Sequence, residues 1–210
     1  MEQKETYWSR FADDFEERNF YVAGRRDVEC LLQKVSALKD LKKVLELGCG
    51  NGTYSKVLSH NAESVLATDL SEEMVKASKE RLKAFSNVKV ERADCFHLVY
   101  PENSFDTVFM ANLIHIIPTP EKAIKECQRV LKNNGLLIIT SYTPKGMKFY
   151  HKISLIYRYL RTYGKPPKGG WSFAPKDIEE LLKSYGFHII ESELIGNKSK
   201  AIFVKAAHVQ

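Results

Sequence analysis

Three groups of residues have the types and spacing to hold a nucleoside. The first is Val44-Leu45-Glu46-Leu47-Gly48-Cys49-Gly50-Asn51-Gly52, an apolar run that breaks into alternating glycines. Glycines at a strand-to-helix turn permit positive φ and let backbone approach a ligand closely. The first turn of the following helix adds N–H groups with no partner inside the helix. The second is Asp69, closing Ser64-Val65-Leu66-Ala67-Thr68-Asp69, where a carboxylate can accept both hydroxyls of a ribose. The third is Asp94, in Arg92-Ala93-Asp94-Cys95, placed to accept the exocyclic amine of adenine. Each also has a plain structural explanation, since aspartate is a common turn and cap residue. Their succession behind consecutive strands is what points to a nucleoside.

The elements that must position these residues are legible from periodicity. Tyr7, Trp8, Phe11 and Phe15 recur at helical spacing, and a second helix after Gly24 carries Val28, Leu31, Leu32, Val35 and Leu38. Strands are expected at 43–47, 64–69, 88–91, 105–111 and 136–141, with helices between them. Ser71 suits an N-cap before Glu72 and Glu73. Thr119 is expected to cap a helix with Pro120 at its first position, its stripe running to Val130 and Leu131 and stopped by Asn133-Asn134-Gly135. A helix from Pro175 precedes strands at 187–195 and 201–205, joined across Gly196-Asn197. Alternation of strand and helix implies an α/β, Rossmann-like, doubly wound sheet, mostly parallel, with one antiparallel strand in the C-terminal hairpin.

A nicotinamide-dependent oxidoreductase also carries an acid after its second strand, so Asp69 does not separate the classes. The loop does. It runs G-x-G-x-G with Glu46 two residues before the first glycine, whereas a dinucleotide site spaces its glycines G-x-G-x-x-G to seat a pyrophosphate. An acid there repels a pyrophosphate and tolerates an ammonium. The stretch 43–141 resembles the core of class I S-adenosylmethionine-dependent methyltransferases, especially the group containing the ubiquinone and menaquinone biosynthetic enzymes. The resemblance rests on Glu46 to Gly52, Asp69-Leu70-Ser71-Glu72-Glu73-Met74, Asp94, Ser104-Phe105-Asp106, Arg129-Val130-Leu131-Lys132 and Asn134-Gly135, about half of the chain. Where the family has Pro-Gly-Gly, this chain has Asn133-Asn134-Gly135.

The resemblance implies a seven-stranded sheet with an antiparallel last strand, and S-adenosyl-L-methionine as cofactor. It implies that Gly48, Cys49 and Gly50 admit the methionine portion and that Glu46 orders the loop or meets the amino group through water. Asp69 would hold the ribose. Leu70 and Met74 would pack on the adenine, Asp94 and the Cys95 N–H would read its edge, and Asn112 would lie near the methionine through its backbone. Methyl transfer from a sulfonium is an in-line displacement governed by positioning. It requires no metal, and the sequence holds no evident ligand cluster. His115, after the fourth strand, is the candidate catalytic base, with packing beneath a loop as the alternative; His97 is a lesser candidate for the same cleft. Tyr7, Trp8, Phe11 and Tyr21 are expected either to roof the cofactor or to pack as an ordinary helix face, and Arg25 or Arg26 to reach its carboxylate.

The formal net charge of +6 is local. Lys145, Lys148, Lys152, Arg158, Arg161, Lys165 and Lys168 fall between Thr143 and Gly170 with no acid, and removing these seven charges leaves the rest near −1. Phe149, Tyr150, Tyr157, Tyr159, Tyr163, Trp171 and Phe173 alternate with them. This segment suits the acceptor side of the site. The plain expectation is an amphipathic helix that buries Tyr150, Ile153, Ile156, Tyr157 and Leu160. The expected acceptor is a small molecule, anionic or aromatic. An RNA (tRNA) methyltransferase and a non-catalytic S-adenosylmethionine-binding protein stand as alternatives, and a lipid or quinone acceptor is open.

At 210 residues one methyltransferase domain is expected. It divides into an N-terminal helical lid (1–40), the cofactor-binding core (41–142), the basic-aromatic insertion (143–173) and a C-terminal helix and hairpin (174–210). No apolar run is long enough to cross a bilayer, the N-terminus has no signal-peptide pattern, and four scattered cysteines suit a reducing compartment. A cytoplasmic location follows as the expectation.

Overall fold

The computed structural model describes residues 7–166, 170 and 172–208; Lys168 and Trp171 of the basic-aromatic segment lie outside them. A short helix α1 (Phe15–Asn19) runs through one π-helical turn into α2 (Arg25–Ser36). There follow β1 (Lys43–Leu47), α3 (Thr53–Leu58), β2 (Ser64–Asp69), α4 (Glu72–Leu82), β3 (Val88–Arg92) and β4 (Phe105–Ala111). The second half comprises α5 (Pro120–Val130), β5 (Leu131–Thr143), α6 (Phe149–Tyr163), α7 (Pro175–Ser184), β6 (Phe187–Ile195) and β7 (Lys200–His208).

The strands form one seven-stranded sheet ordered β3-β2-β1-β4-β5-β7-β6. The pairs from β3 to β5 are parallel, and β7 is antiparallel to both β5 and β6. The central strands bury both faces, so they are nearly continuous in apolar residues. Along β4, Val108 and Met110 point to the side covered by Ile124, Cys127 and Val130 of α5 and Ile178 and Leu182 of α7. Phe109, between them, points to the side of Leu31 and Val35 of α2, Leu58 of α3 and Leu82 of α4. The period of two along the strand thus separates two cores.

Three expectations are revised. Helix α5 ends at Val130, and Leu131 is already extended at φ −73° and ψ 139°. The Asn133-Asn134-Gly135 turn therefore lies inside the span of β5, as an irregularity that shifts the register between Phe105 and Thr107 of β4. Asn134 takes its left-handed conformation, at φ 60°. Thr119 sits at the N-cap of α5 but its hydroxyl makes no capping bond, whereas Ser71 does accept from the Met74 amide at 3.2 Å. The third revision is the largest. Helix α6 exists, but Tyr150, Ile153, Ile156, Tyr157 and Leu160 face solvent. Its inward side is Leu155, Tyr159 and Tyr163.

The β6–β7 turn is held from the far end of the chain. Asp27, buried on α2, accepts the amides of Asn197, Lys198 and Ser199 at 2.7, 3.0 and 2.8 Å.

Candidate functional site

The first four parallel strands end side by side, and the loops leaving them wall a cavity of about 310 Å³. It lies where the order passes from β1 to β4, the point at which chain connections diverge to opposite sides and leave a crevice. Gly48, Cys49 and Gly50 come from β1, Asp69 and Leu70 from β2, Asp94 and Cys95 from β3, and Asn112 and His115 from β4; Met74 joins them from α4. Ten of the eleven residues expected from sequence thus line one space.

Glu46 is the eleventh. It lies beneath the loop rather than on the cavity wall, fully buried, with its Oε2 accepting the Ser55 hydroxyl. Burial pushes its carboxyl up to about 8, with the nearby Asp69 adding to the rise and Ser55 opposing it. Near pH 7 it is therefore mainly neutral. The charge repulsion invoked to exclude a pyrophosphate is weaker than the sequence implies, and the bracing of the loop is the better supported role.

The loop is shaped by its own bonds. The amides of Gly48 and Cys49 both donate to Thr68 O, at 2.8 and 2.9 Å, which ties the end of β1 to β2. The Asp69 carboxylate then accepts the Gly50 amide at 2.9 Å and the Ser71 amide at 3.0 Å. One side chain so fixes both the glycine turn and the start of α4. Gly50 has φ +55°, and a Cβ there would meet no atom within 4 Å, so the bare backbone fronts open cavity. Gly52 serves packing instead: a Cβ would fall 2.7 Å from Ser78 Oγ and 2.9 Å from Leu82 Cδ1.

Asp94 accepts the Phe96 amide through Oδ1 at 2.9 Å, a local turn bond, while still lining the cavity. Asn112 adopts φ +55°. Its amide donates to Thr140 O at 2.8 Å and its Oδ1 accepts the Tyr142 amide at 3.0 Å, so a backbone contact to a ligand falls to its carbonyl. His115 Nδ1 lies 2.9 Å from Ser141 Oγ. The Ser141 hydroxyl can donate to Nδ1 or accept from Nδ1–H, according to the tautomer. His97 is exposed and off the cavity wall, as are Arg25 and Arg26; Arg25 pairs with Glu17 at 3.2 Å.

Of the residues expected as a roof or an acceptor side, Trp8, Tyr159 and Tyr163 reach the cavity. Sequence reasoning missed other walls: Phe15, Glu16 and Asn19 from the N-terminal segment, Tyr54 from α3, Tyr142 from β5 and Leu155 from α6. The N-terminal rings do pack over this end: Trp8 and Phe11 meet Tyr163 edge-on at 5.5 and 5.0 Å, and the Tyr7 hydroxyl donates to Tyr163 O at 3.0 Å. Tyr21 is exposed and takes no part. Glu16 is paired with Arg81 at 2.7 Å. The Asn19 amide donates to the Tyr142 hydroxyl at 3.2 Å, whose pKa burial pushes up to about 12. Such residues carry no motif and become visible only once the segments are folded together.

The Trp8 indole N–H and the Ser199 hydroxyl, both on these walls, are buried without a hydrogen-bond partner among the described residues. Buried polar groups are rarely left so. They fit a ligand that brings its own polar atoms, as an adenosyl group carrying an amino acid does.

Residues 45–139 match the model of a family described as a methyltransferase domain. Over this stretch, somewhat under half of its length, the chain is similar to methyltransferase domains. The matched residues begin on β1 and end within β5, so the match contains the glycine loop, Asp69, Asp94, Asn112 and His115. Among relatives, an uncharacterised chloroplastic methyltransferase of Arabidopsis thaliana is 31% identical over 132 residues, 56% of this chain and 38% of that protein. A demethylmenaquinone methyltransferase of Clavibacter sepedonicus is 31% identical over 102 residues, 49% of this chain and 42% of that one. The chain thus spans about two fifths of those curated relatives. The crystal structure of an S-adenosylmethionine-dependent methyltransferase from Aquifex aeolicus superposes with a TM-score of 0.69 at 23% identity, covering 98% of each chain. That likeness carries the fold.

Proposed function

We propose that this chain transfers a methyl group from S-adenosylmethionine to a small-molecule acceptor. The observation that carries the proposal is the meeting of Gly50, Asp69, Asp94, Asn112 and His115 on one cavity at the C-terminal strand ends of a stretch similar to methyltransferase domains. When bound, the cofactor supplies an electrophilic methyl on a sulfonium. Asp69 holds the ribose hydroxyls, and Leu70 and Met74 flank the adenine. Asp94 with the Cys95 amide recognises its edge. The backbone at Gly48 to Gly50 and the Asn112 carbonyl border the amino-acid end. The Trp8 N–H is a donor toward the enclosed ligand.

His115 stands on the acceptor side. In the tautomer that donates Nδ1–H to Ser141, Nε2 is the atom that takes a proton from an acceptor hydroxyl or amine. The aromatic roof of Trp8, Tyr159 and Tyr163 excludes water and suits an acceptor with an apolar or aromatic body. Demethylmenaquinone, named for the Clavibacter relative, has such a body.

The test uses radiolabelled S-adenosylmethionine with size-fractionated cell extract. Label is expected in the small-molecule or lipid fraction. Label in RNA alone overturns the acceptor class, and cofactor binding without transfer to any fraction overturns the enzymatic reading.

A further inference from the structure

Of the ten large hydrophobic residues exposed among the described residues, six lie on α6. They are Phe149, Tyr150, Ile153, Ile156, Tyr157 and Leu160, with exposures from 49% at Leu160 to 77% at Phe149. At helical spacing they form one arc about 120° wide, the width of a stripe that ordinarily faces a core. Here the core-facing side of the same helix is the other one: Leu155, Tyr159 and Tyr163 look into the cavity. Both faces of α6 are therefore apolar, and one faces outward.

The outward face is framed by cations. Lys152 lies on one flank and Arg161 on the other, Lys145 and Lys148 precede the helix, and Lys165 follows it. Among the described residues none of these five forms an ion pair. No acid occurs from Thr143 to Gly170. Arg158 donates to Tyr21 O at 3.1 Å.

We propose that α6 is a docking helix for the surface of an anionic lipid bilayer. An isoleucine and leucine ridge edged by ammonium and guanidinium groups matches both layers of that surface, the acyl boundary and the phosphates above it. The alternatives match only in part. RNA would engage the cations and the rings, but its phosphates gain nothing from Ile153, Ile156 and Leu160. A second copy laid symmetrically on the same face would set cationic flank against cationic flank with no acid to answer either. Docking would place the cavity roof, Leu155, Tyr159 and Tyr163, one helix diameter from the lipid, so an apolar ligand could pass between membrane and cavity without crossing water. No helix of the described residues is long and apolar enough to cross a membrane, so the contact is one of surface, not span.

The experiment is vesicle flotation with no methyl donor present, which keeps its outcome separate from that of the transfer assay. The full chain is expected to float with phosphatidylcholine vesicles containing phosphatidylglycerol and to stay behind with phosphatidylcholine alone. Ile153→Glu with Ile156→Glu is expected to cut partition at least about tenfold while leaving Tm and S-adenosylhomocysteine affinity unchanged. Lys148→Ala and Lys165→Ala are each expected to cost about fivefold, the scale of one basic residue at such a surface. Should the double variant fail to fold, Phe149→Ser, at the most exposed position, reads the same effect. Failure of the unmodified chain to float with anionic vesicles overturns the proposal. So does a dimer in sedimentation velocity that the double variant dissolves, or salt-sensitive capture of tRNA in place of vesicles.

Discussion

Because the Asp69 carboxylate is held by the amides of Gly50 and Ser71, removing it acts twice, on a ligand contact and on the turn that shapes the cavity. Asp69→Ala is expected to weaken S-adenosylhomocysteine binding by about ten- to a hundredfold, the scale of one or two charge-assisted hydrogen bonds; unchanged affinity in calorimetry would remove the ribose role. Glu46 gives a pH signature. Its carboxyl sits near 8 in the folded chain against an ordinary value of 4.5. Between those values the unfolded chain has released a proton that the folded chain keeps, so this group makes stability fall as pH rises, by at most about 1.4 kcal/mol per pH unit. Glu46→Gln should flatten that slope in denaturation curves taken across the window; a slope unaltered by the substitution would mean that the buried carboxyl is already ionised. At His115 the expected loss is catalytic. His115→Gln should lower kcat by about a hundredfold or more where the acceptor carries a proton, and Ser141→Ala by less, with S-adenosylhomocysteine affinity kept in both; a single-turnover assay reads it, and full activity of His115→Gln assigns the ring to packing.

Among the elements, Asp27 on α2 controls the turn between β6 and β7. Asp27→Ala strands three amides at once and should destabilise the fold by about 3 kcal/mol, seen as a lowered Tm. No local pattern announces that bond, because its partners are some 170 residues away. Most elements are legible for the opposite reason: the spacing that buries a strand or a helix stripe is itself local. The bounds of β4 and β6 follow from alternation and turn residues alone. Helix α5 ends a residue earlier than its apolar stripe suggests because Leu131 remains apolar as it changes from helix to strand, and burial is all that hydrophobicity reports. Helix α6 shows the same ambiguity in its strongest form. Its periodicity identifies a helix with a coherent apolar face, but not whether protein or some other medium covers it. The inner side, with Leu155, Tyr159 and Tyr163, is the weaker stripe in sequence and the covered one in the fold.

For the molecule as a whole, the chemistry-bearing residues were legible because a parallel sheet delivers every strand end to the same edge, so residues following successive strands must meet. The aromatic roof was less so, since Trp8 and Phe15 meet Tyr163 from a segment far away in the chain. The sheet also depends on its interior strand β7, which alone joins β6 to the rest. A chain stopped after Ile195 should therefore accumulate in the insoluble fraction on expression, with a soluble, cooperatively melting product the contrary result.

The position of β7 has a consequence in time as well as in space. A ribosome delivers β5 well before the strand that pairs with its open flank. Until Lys200 to His208 emerges, the growing polypeptide displays the unzipped flank of β5, and Asp27 waits for amides not yet made. Holding that flank out of reach of other nascent chains is work for a chaperone, and the interval it must cover is set by where the last strand is encoded.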